Sequence, residues 1–202
     1  MPSREGPRPD GRLNLVFLDM DGVLNGHQYM REAESCNICR PCVLQLNRII
    51  RRTDCHIVLS SAWRYMVHGR AMTLSGFGYM LRTHGVIGAS MRMIGLTDPD
   101  EVCPTCGHRH TRRKGNTVVI TAAADWLCRK CGGPLSRGKQ VTAWLKRLRD
   151  SPARVAVGRY VVLDDDAFDF AAERHPFVQT DGSRGMTRRK ADRAIAILLG
   201  TE

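Results

Sequence analysis

No apolar run in the 202-residue sequence approaches the ~18–20 residues of a membrane-spanning helix, and no membrane partner is expected. A basic–apolar–small leader is also missing, so the expected setting is the cytoplasm, where thiols stay reduced. There is no internal repeat and no low-complexity tract. With 43% hydrophobic and 25% charged residues, collagen-like and wholly disordered chains are excluded. A Gly-x-x-x-x-Gly-Lys-Ser/Thr loop is absent, so a kinase or ligase working alongside this chain would be a separate partner. Acids are scarce: 20 Asp and Glu stand against 31 Lys and Arg, a net charge of +11. Lysine is scarcer still, since 26 of the basic residues are Arg.

What is present is unevenly placed. Between Cys103 and Arg154, twelve basic residues meet two acids, and the rest of the chain is close to neutral. The planar arginine fork suits phosphate, so an anionic, phosphate-bearing partner is one reading and a solvated basic surface the other. At roughly 150 residues per domain, the length implies one domain with an appendage, or two small ones. Eight cysteines under reducing conditions point to thiolates on a metal before disulfides.

Residues 1–12, rich in Pro, Gly and Arg, read as a flexible arm. Short apolar runs at Leu13–Leu18, His56–Leu59, Met91–Leu96 and Tyr160–Leu163 read as strands. Amphipathic spacing predicts helices over Val43–Arg52, Leu74–Thr83, Gln140–Leu148 and Thr187–Leu199. Strands alternating with helices imply an α/β fold with a parallel sheet covered on both faces. Ligands of such sheets bind beyond the carboxyl ends of the strands. Those ends carry Asp19-Met20-Asp21, Ser60-Ser61 and Asp164-Asp165-Asp166, which should therefore converge.

Clustered carboxylates in a part-open crevice suit Mg²⁺, and one of a pair can act as nucleophile while its neighbour moves protons. Capping acids after a strand are the plainer reading. Four motifs decide between the two. Phe17-Leu18-Asp19-Met20-Asp21-Gly22-Val23-Leu24-Asn25, then Ile57-Val58-Leu59-Ser60, then Lys139, then Val161-Val162-Leu163-Asp164-Asp165 with Asp169, resemble in order the motifs of the haloacid dehalogenase (HAD) superfamily. Val58-Leu59-Ser60-Ser61-Ala62-Trp63-Arg64 and Gln179-Thr180-Asp181 with Gly185-Met186-Thr187 are similar to small HAD domains of RNA-repair and nucleic-acid end-processing proteins.

That resemblance implies a Rossmann-like core and a set of roles. Asp19 would be the nucleophile and Asp21 the general acid and base. Ser60 would bind the phosphoryl group, with Ser61 as the alternative register, and Lys139 would neutralise charge. Mg²⁺ would sit on Asp19, the backbone carbonyl of Asp21, and Asp165, with Asp164 or Asp169 in support. Gly22 fits the tight turn beside the phosphate. Arg64 would reach a phosphate or stay structural; Trp63 would stack a base or pack.

Cys103-Pro-Thr-Cys106 and Cys128-Arg-Lys-Cys131 have the spacing of a tetrahedral Cys₄ zinc site, with a redox dithiol pair as the alternative. A four-ligand zinc has no open position, so it would fold the insert and stay out of catalysis. The expected organisation is a HAD-like core at 13–100 and 134–202, with a zinc ribbon at 101–133 serving as a cap-like module. The ribbon carries Arg109, Arg112, Arg113, Lys114, Arg129 and Lys130. Cys36, Cys39 and Cys42 read either as part of a second zinc site with His27 or Cys55, or as ordinary thiols.

The leading expectation is a Mg²⁺-dependent phosphatase acting through an aspartyl-phosphate on nucleic-acid ends or nucleotides. A small-molecule HAD phosphatase is the second, and a non-catalytic zinc-ribbon nucleic-acid binder the third.

Overall fold

The computed structural model describes residues 11–26, 38–97, 106–108, 111–114, 117–120, 128, 130–132, 136–152, 155–167 and 170–202. The expected arm lies outside these residues up to position 10. So do His27, Cys36, Cys103, Arg109, Arg129 and Asp169, together with the side chains of Arg112, Arg113 and Lys114.

Strands β1 (Leu13–Leu18), β2 (His56–Leu59), β3 (Met93–Leu96), β6 (Val157–Asp164) and β7 (Phe177–Gln179) form one parallel sheet in the order β3-β2-β1-β6-β7. A separate antiparallel hairpin pairs β4 (Thr111–Lys114) with β5 (Thr117–Ile120). The helices are α1 (Arg40–Thr53), α2 (Arg64–His68), α3 (Leu74–Thr83), α4 (Ala89–Arg92), α5 (Arg137–Arg149) and α6 (Arg188–Leu199).

Both faces of the sheet are covered, as its apolar strands require. Successive side chains of β1 alternate across the sheet. Val16 and Leu18 pack with Leu46, Ile49 and Ile50 of α1 and with Ala194 and Leu198 of α6. Leu15 and Phe17 pack on the opposite face with Val141 and Trp144 of α5. Phe17 meets the rings of Trp144 and Tyr160 edge-on, with centroids 5.4 and 5.8 Å apart. Phe17 is wholly buried, and truncating such a side chain typically costs ~3–5 kcal/mol.

The chain departs from the sequence expectation at several boundaries. Helix α1 starts three residues early because Pro41 takes a first-turn position, where its missing N–H costs nothing. Met91 and Arg92 close the short helix α4, which delays β3 to Met93. Ser136 caps α5 by accepting the Lys139 N–H at 2.9 Å, so that helix begins at Arg137 and Lys139 lies inside its first turn. Among the described residues, no helix is long and apolar enough to cross a membrane.

Candidate active site

The register of the sheet sets the site. Leu18 pairs with Leu59 on one side and Leu163 on the other. The ladder continues one residue further: the Asp19 N–H donates to Leu163 O at 2.9 Å, and the Ser60 N–H donates to Leu18 O at 2.8 Å. Asp19, Ser60 and Asp164 are therefore brought level at the carboxyl ends of three adjacent strands, as anticipated. Carboxylate oxygens of Asp19, Asp164 and Asp165 all lie within 4.8 Å of one another.

Three acids so close, two of them buried, need positive charge. Arg137 supplies some of it: its Nη2 is 3.1 Å from Asp164 Oδ2 and 3.5 Å from Asp19 Oδ1, and it also donates to the Ser60 carbonyl. Burial still dominates. It raises the pKa of Asp19, helped by the charges of Asp21 and Asp165 and opposed by Arg137 and a hydrogen bond from Ser61. Burial and the charge of Asp19 likewise raise Asp164, against Arg137 and the Asp166 N–H. A divalent cation fits this set: hard oxygen donors, clustered, holding more proton affinity than ordinary carboxylates.

The loop after β1 is tied down on every side. Met20, Val23 and Leu24 are wholly buried, and the Leu24 N–H closes onto Met20 O at 2.9 Å. Asn25 accepts the Gly22 N–H at 2.8 Å and donates to Asp21 Oδ1 at 2.6 Å. Gly22 has φ +67°, and a Cβ there would lie 2.2 Å from Asp165 Oδ2. The glycine is thus required twice, by its backbone and by the carboxylate pressed against it. Asp21 itself is exposed, and its two oxygens accept the Trp63 indole N–H at 3.0 and 3.1 Å.

Lys139, expected to neutralise charge at the site, is exposed, and among the described residues no ion pair joins it to Asp19, Asp164 or Asp165; the cation paired with Asp19 and Asp164 is Arg137, two residues earlier in α5. Ser136 at the cap turns Arg137 inward, a signal the Ser-Arg-Gly-Lys string did contain. Of the two readings of Arg64, the structural one fits its surroundings, since its side chain is fully buried. It donates to the Ser61 carbonyl at 2.7 Å and to Gln140 Oε1 at 3.2 Å, so it braces the loop after β2 against α5. Neither Gln140 nor Asn25 was given a role by sequence reasoning. Ser61 bonds Asp19, whereas the buried Ser60 Oγ has no hydrogen-bond partner among the described residues. Trp63 packs its ring edge-on against Phe77, centroids 6.3 Å apart, while its N–H holds Asp21.

The Cys106, Cys128 and Cys131 sulfurs also converge within 4.8 Å, Cys106 and Cys128 at 3.6 Å. The Lys130 N–H points at Cys128 Sγ from 3.3 Å, the kind of donor a metal-bound thiolate accepts.

A parallel α/β sheet whose first strand ends in Asp-x-Asp, opposite a second acidic strand end, defines a phosphohydrolase-type domain of the HAD superfamily. The chain belongs to one of its families: the model for the HAD domain in Swiss Army Knife RNA repair proteins matches residues 15–191. HAD phosphatase-type hydrolase chemistry comes with that membership, and HAD proteins typically use Mg²⁺. No curated protein and no solved structure among those compared matches the chain.

Proposed function

We propose that this chain is a Mg²⁺-dependent phosphatase that removes terminal phosphate from nucleic-acid ends through an aspartyl-phosphate on Asp19. The observation that carries the reading is the convergence of Asp19, Asp164 and Asp165 beside a buried Arg137, in a family of RNA-repair domains. The carboxylates of Asp19, Asp164 and Asp165 would hold Mg²⁺, with the Asp21 carbonyl as a further ligand. The ion would supply charge neutralisation for the phosphoryl group.

Asp19 attacks phosphorus with one carboxylate oxygen, and the bond from phosphorus to the leaving oxygen breaks. Asp21, exposed at the mouth and steered by Trp63 and Asn25, gives its proton to that oxygen. It then takes a proton from water as the water attacks the aspartyl-phosphate, releasing phosphate and restoring Asp19. Ser60 Oγ, buried without a partner, donates to a phosphoryl oxygen. Arg137 stabilises the charge that spreads over the transferring group.

Cys103, Cys106, Cys128 and Cys131 would hold a structural Zn²⁺ that folds residues 101–133 as a module between the two halves of the core. The basic residues of that module would bind the phosphate backbone of the substrate, with the cytoplasm as the setting. The test is phosphate release with Mg²⁺ from 3′- and 5′-phosphorylated RNA, DNA and mononucleotides. Faster release from an oligonucleotide end, with KM rising steeply with salt, is expected. Equal or better turnover of mononucleotides with a flat salt dependence would replace this reading with a small-molecule phosphatase. No turnover of any of these substrates would overturn the catalytic assignment.

A further inference from the structure

A second concentration of positive charge lies outside residues 103–154, on two helices that cover one face of the sheet. Outside that segment the chain has 19 basic and 18 acidic residues. Helices α1 and α6 carry eight of those basic residues and one of the acids, Asp192. On α1, Arg40, Leu44, Arg48 and Arg52 recur every four residues and so share a face, with Arg51 beside them. Arg40, Arg51 and Arg52 are exposed, and among the described residues none of the three is ion-paired.

Helix α6 packs alongside α1, and Arg48 Nε and Nη2 donate across the seam to Asp192 Oδ1 at 2.9 and 2.7 Å. Arg188 Nε lies 3.9 Å from the other oxygen, Oδ2. Asp192 thus spaces two guanidinium groups and holds them at the seam. A groove of about 420 Å³ opens there, lined by Leu44, Gln45, Arg48, Arg51, Arg52 and Arg188. Other acids nearby are engaged elsewhere: Asp54, after the end of α1, pairs with Arg92 at 2.6 Å, and Glu202 pairs with Arg193 at 3.0 Å.

A cation in the last turn of a helix offsets the carbonyl end of its dipole, which accounts for Arg51 or Arg52 singly. It does not account for Arg48 and Arg52 four residues apart, a like-charged spacing that weakens a helix unless an anion lies across it. Four guanidinium groups around one groove match phosphate through their planar forks. Neither α1 nor α6 has an aromatic residue, so no base can be stacked there and contact is confined to sugar and phosphate. That suits a duplex, whose bases are already stacked inside. It suits an anionic membrane poorly, since Leu44 is the one exposed large apolar side chain on this face. From Arg40 to Arg52 the face spans ~18 Å, about five base steps at roughly 3.4 Å each.

We infer that the α1–α6 face binds the sugar–phosphate backbone of a nucleic-acid duplex, with Arg48, Arg51, Arg52 and Arg188 as the phosphate contacts. The face begins beside the acidic loop: the N–H of Cys39, the residue before α1, donates to Leu24 O at 2.7 Å. A duplex lying along α1 therefore starts next to the loop that bears Asp19 and Asp21 and leads away from it. Which end of the duplex meets Asp19 rests on the phosphatase reading of that site; the binding itself does not.

The test is fluorescence anisotropy of the full chain with labelled RNA and DNA duplexes and a single strand, none carrying a terminal phosphate, over a range of salt. Duplex binding is expected, with affinity falling steeply as salt rises. Arg51→Gln combined with Arg52→Gln should lower the slope of log affinity against log salt by about 2, and weaken binding by roughly tenfold or more at about 0.1 M salt. Both side chains are exposed, so this variant should keep the wild-type Tm. The same double change at Arg70 and Arg82, exposed outside the groove, should leave slope and affinity nearly unaltered. The inference is overturned if the α1 variant binds like the wild type, or if the control pair weakens binding equally. It is also overturned if the single strand binds more tightly than either duplex, or if vesicles of anionic phospholipid are bound and the duplexes are not. Phosphate release is read separately. Duplex binding through Arg51 and Arg52 without turnover would remove the phosphatase and keep this face; turnover with binding indifferent to both arginines would do the reverse.

Discussion

Replacing Arg137 with Met tests the electrostatics of the site most directly, because it keeps much of the side-chain volume and removes the charge. The Arg137, Asp19 and Asp164 side chains are 5%, 9% and 2% exposed, so none can recover much hydration when the partner goes. Breaking a buried pair from one side costs ~3–5 kcal/mol. For a chain of this size that corresponds to roughly 6–20 °C in Tm, at about 2–4 °C per kcal/mol. The loss should depend on pH. Arg137 lowers the pKa of both carboxyls, so its removal raises pKa values that burial has already raised. A folded carboxyl with a raised pKa holds a proton that the unfolded chain has released; its contribution is present at low pH and lost as pH climbs through the folded value. The deficit of Arg137→Met, measured by urea unfolding without metal, should therefore be largest at pH 8 and clearly smaller at pH 5. Millimolar Mg²⁺ should restore part of it at pH 8. A deficit equal at the two pH values, or none at pH 8, would show that Arg137 does not face ionised acids and sink this account of the site.

Asp19→Asn should abolish phosphate release while leaving Tm at pH 8 unchanged or higher, since it removes one of the crowded negative charges; a large fall in Tm would argue for a structural role instead. Gly22→Ala places a Cβ in the left-handed region at a cost of ~1–2 kcal/mol and drives it into Asp165. Calorimetric titration should show Mg²⁺ affinity reduced by roughly tenfold or more, the scale of loss when a ligand's support is disturbed. Arg64→Met should lower stability by about 3 kcal/mol with KM unchanged, because the buried guanidinium braces the loop after β2 through the Ser61 carbonyl and Gln140. A KM tenfold higher in a variant of normal stability would put Arg64 on the substrate after all.

The acids and serines of the site were legible because each follows an apolar run that stops abruptly, and a parallel sheet brings such ends together. β1 and β2 could be delimited to the residue for the same reason. Arg137 was not legible in this way. In a segment dense with Arg and Lys, composition cannot tell which cation turns inward; that is settled by Ser136 at the cap, which sets the helical phase of α5. β7 has only three residues and β4 reads Thr-Arg-Arg-Lys, so neither offers the apolar alternation that marks a strand. The sequence left Arg64 between a phosphate contact and a structural role, because its buried partner Gln140 lies 76 residues away along the chain.

The position of β1 in the sheet has a consequence for how the molecule is made. Its two neighbours are β2, which follows after one helix, and β6, which begins at Val157. At 5–20 residues per second, a ribosome adds the intervening stretch of about 140 residues in roughly 7–28 s. Throughout that interval the nascent chain presents one edge of its most apolar strand unpaired, with Asp19 lacking Asp164 and, for most of it, Arg137. A phosphatase-type site of this layout is therefore completed only once β6 has been made, and a fragment ending before β6 would be both inactive and prone to stick to other strands.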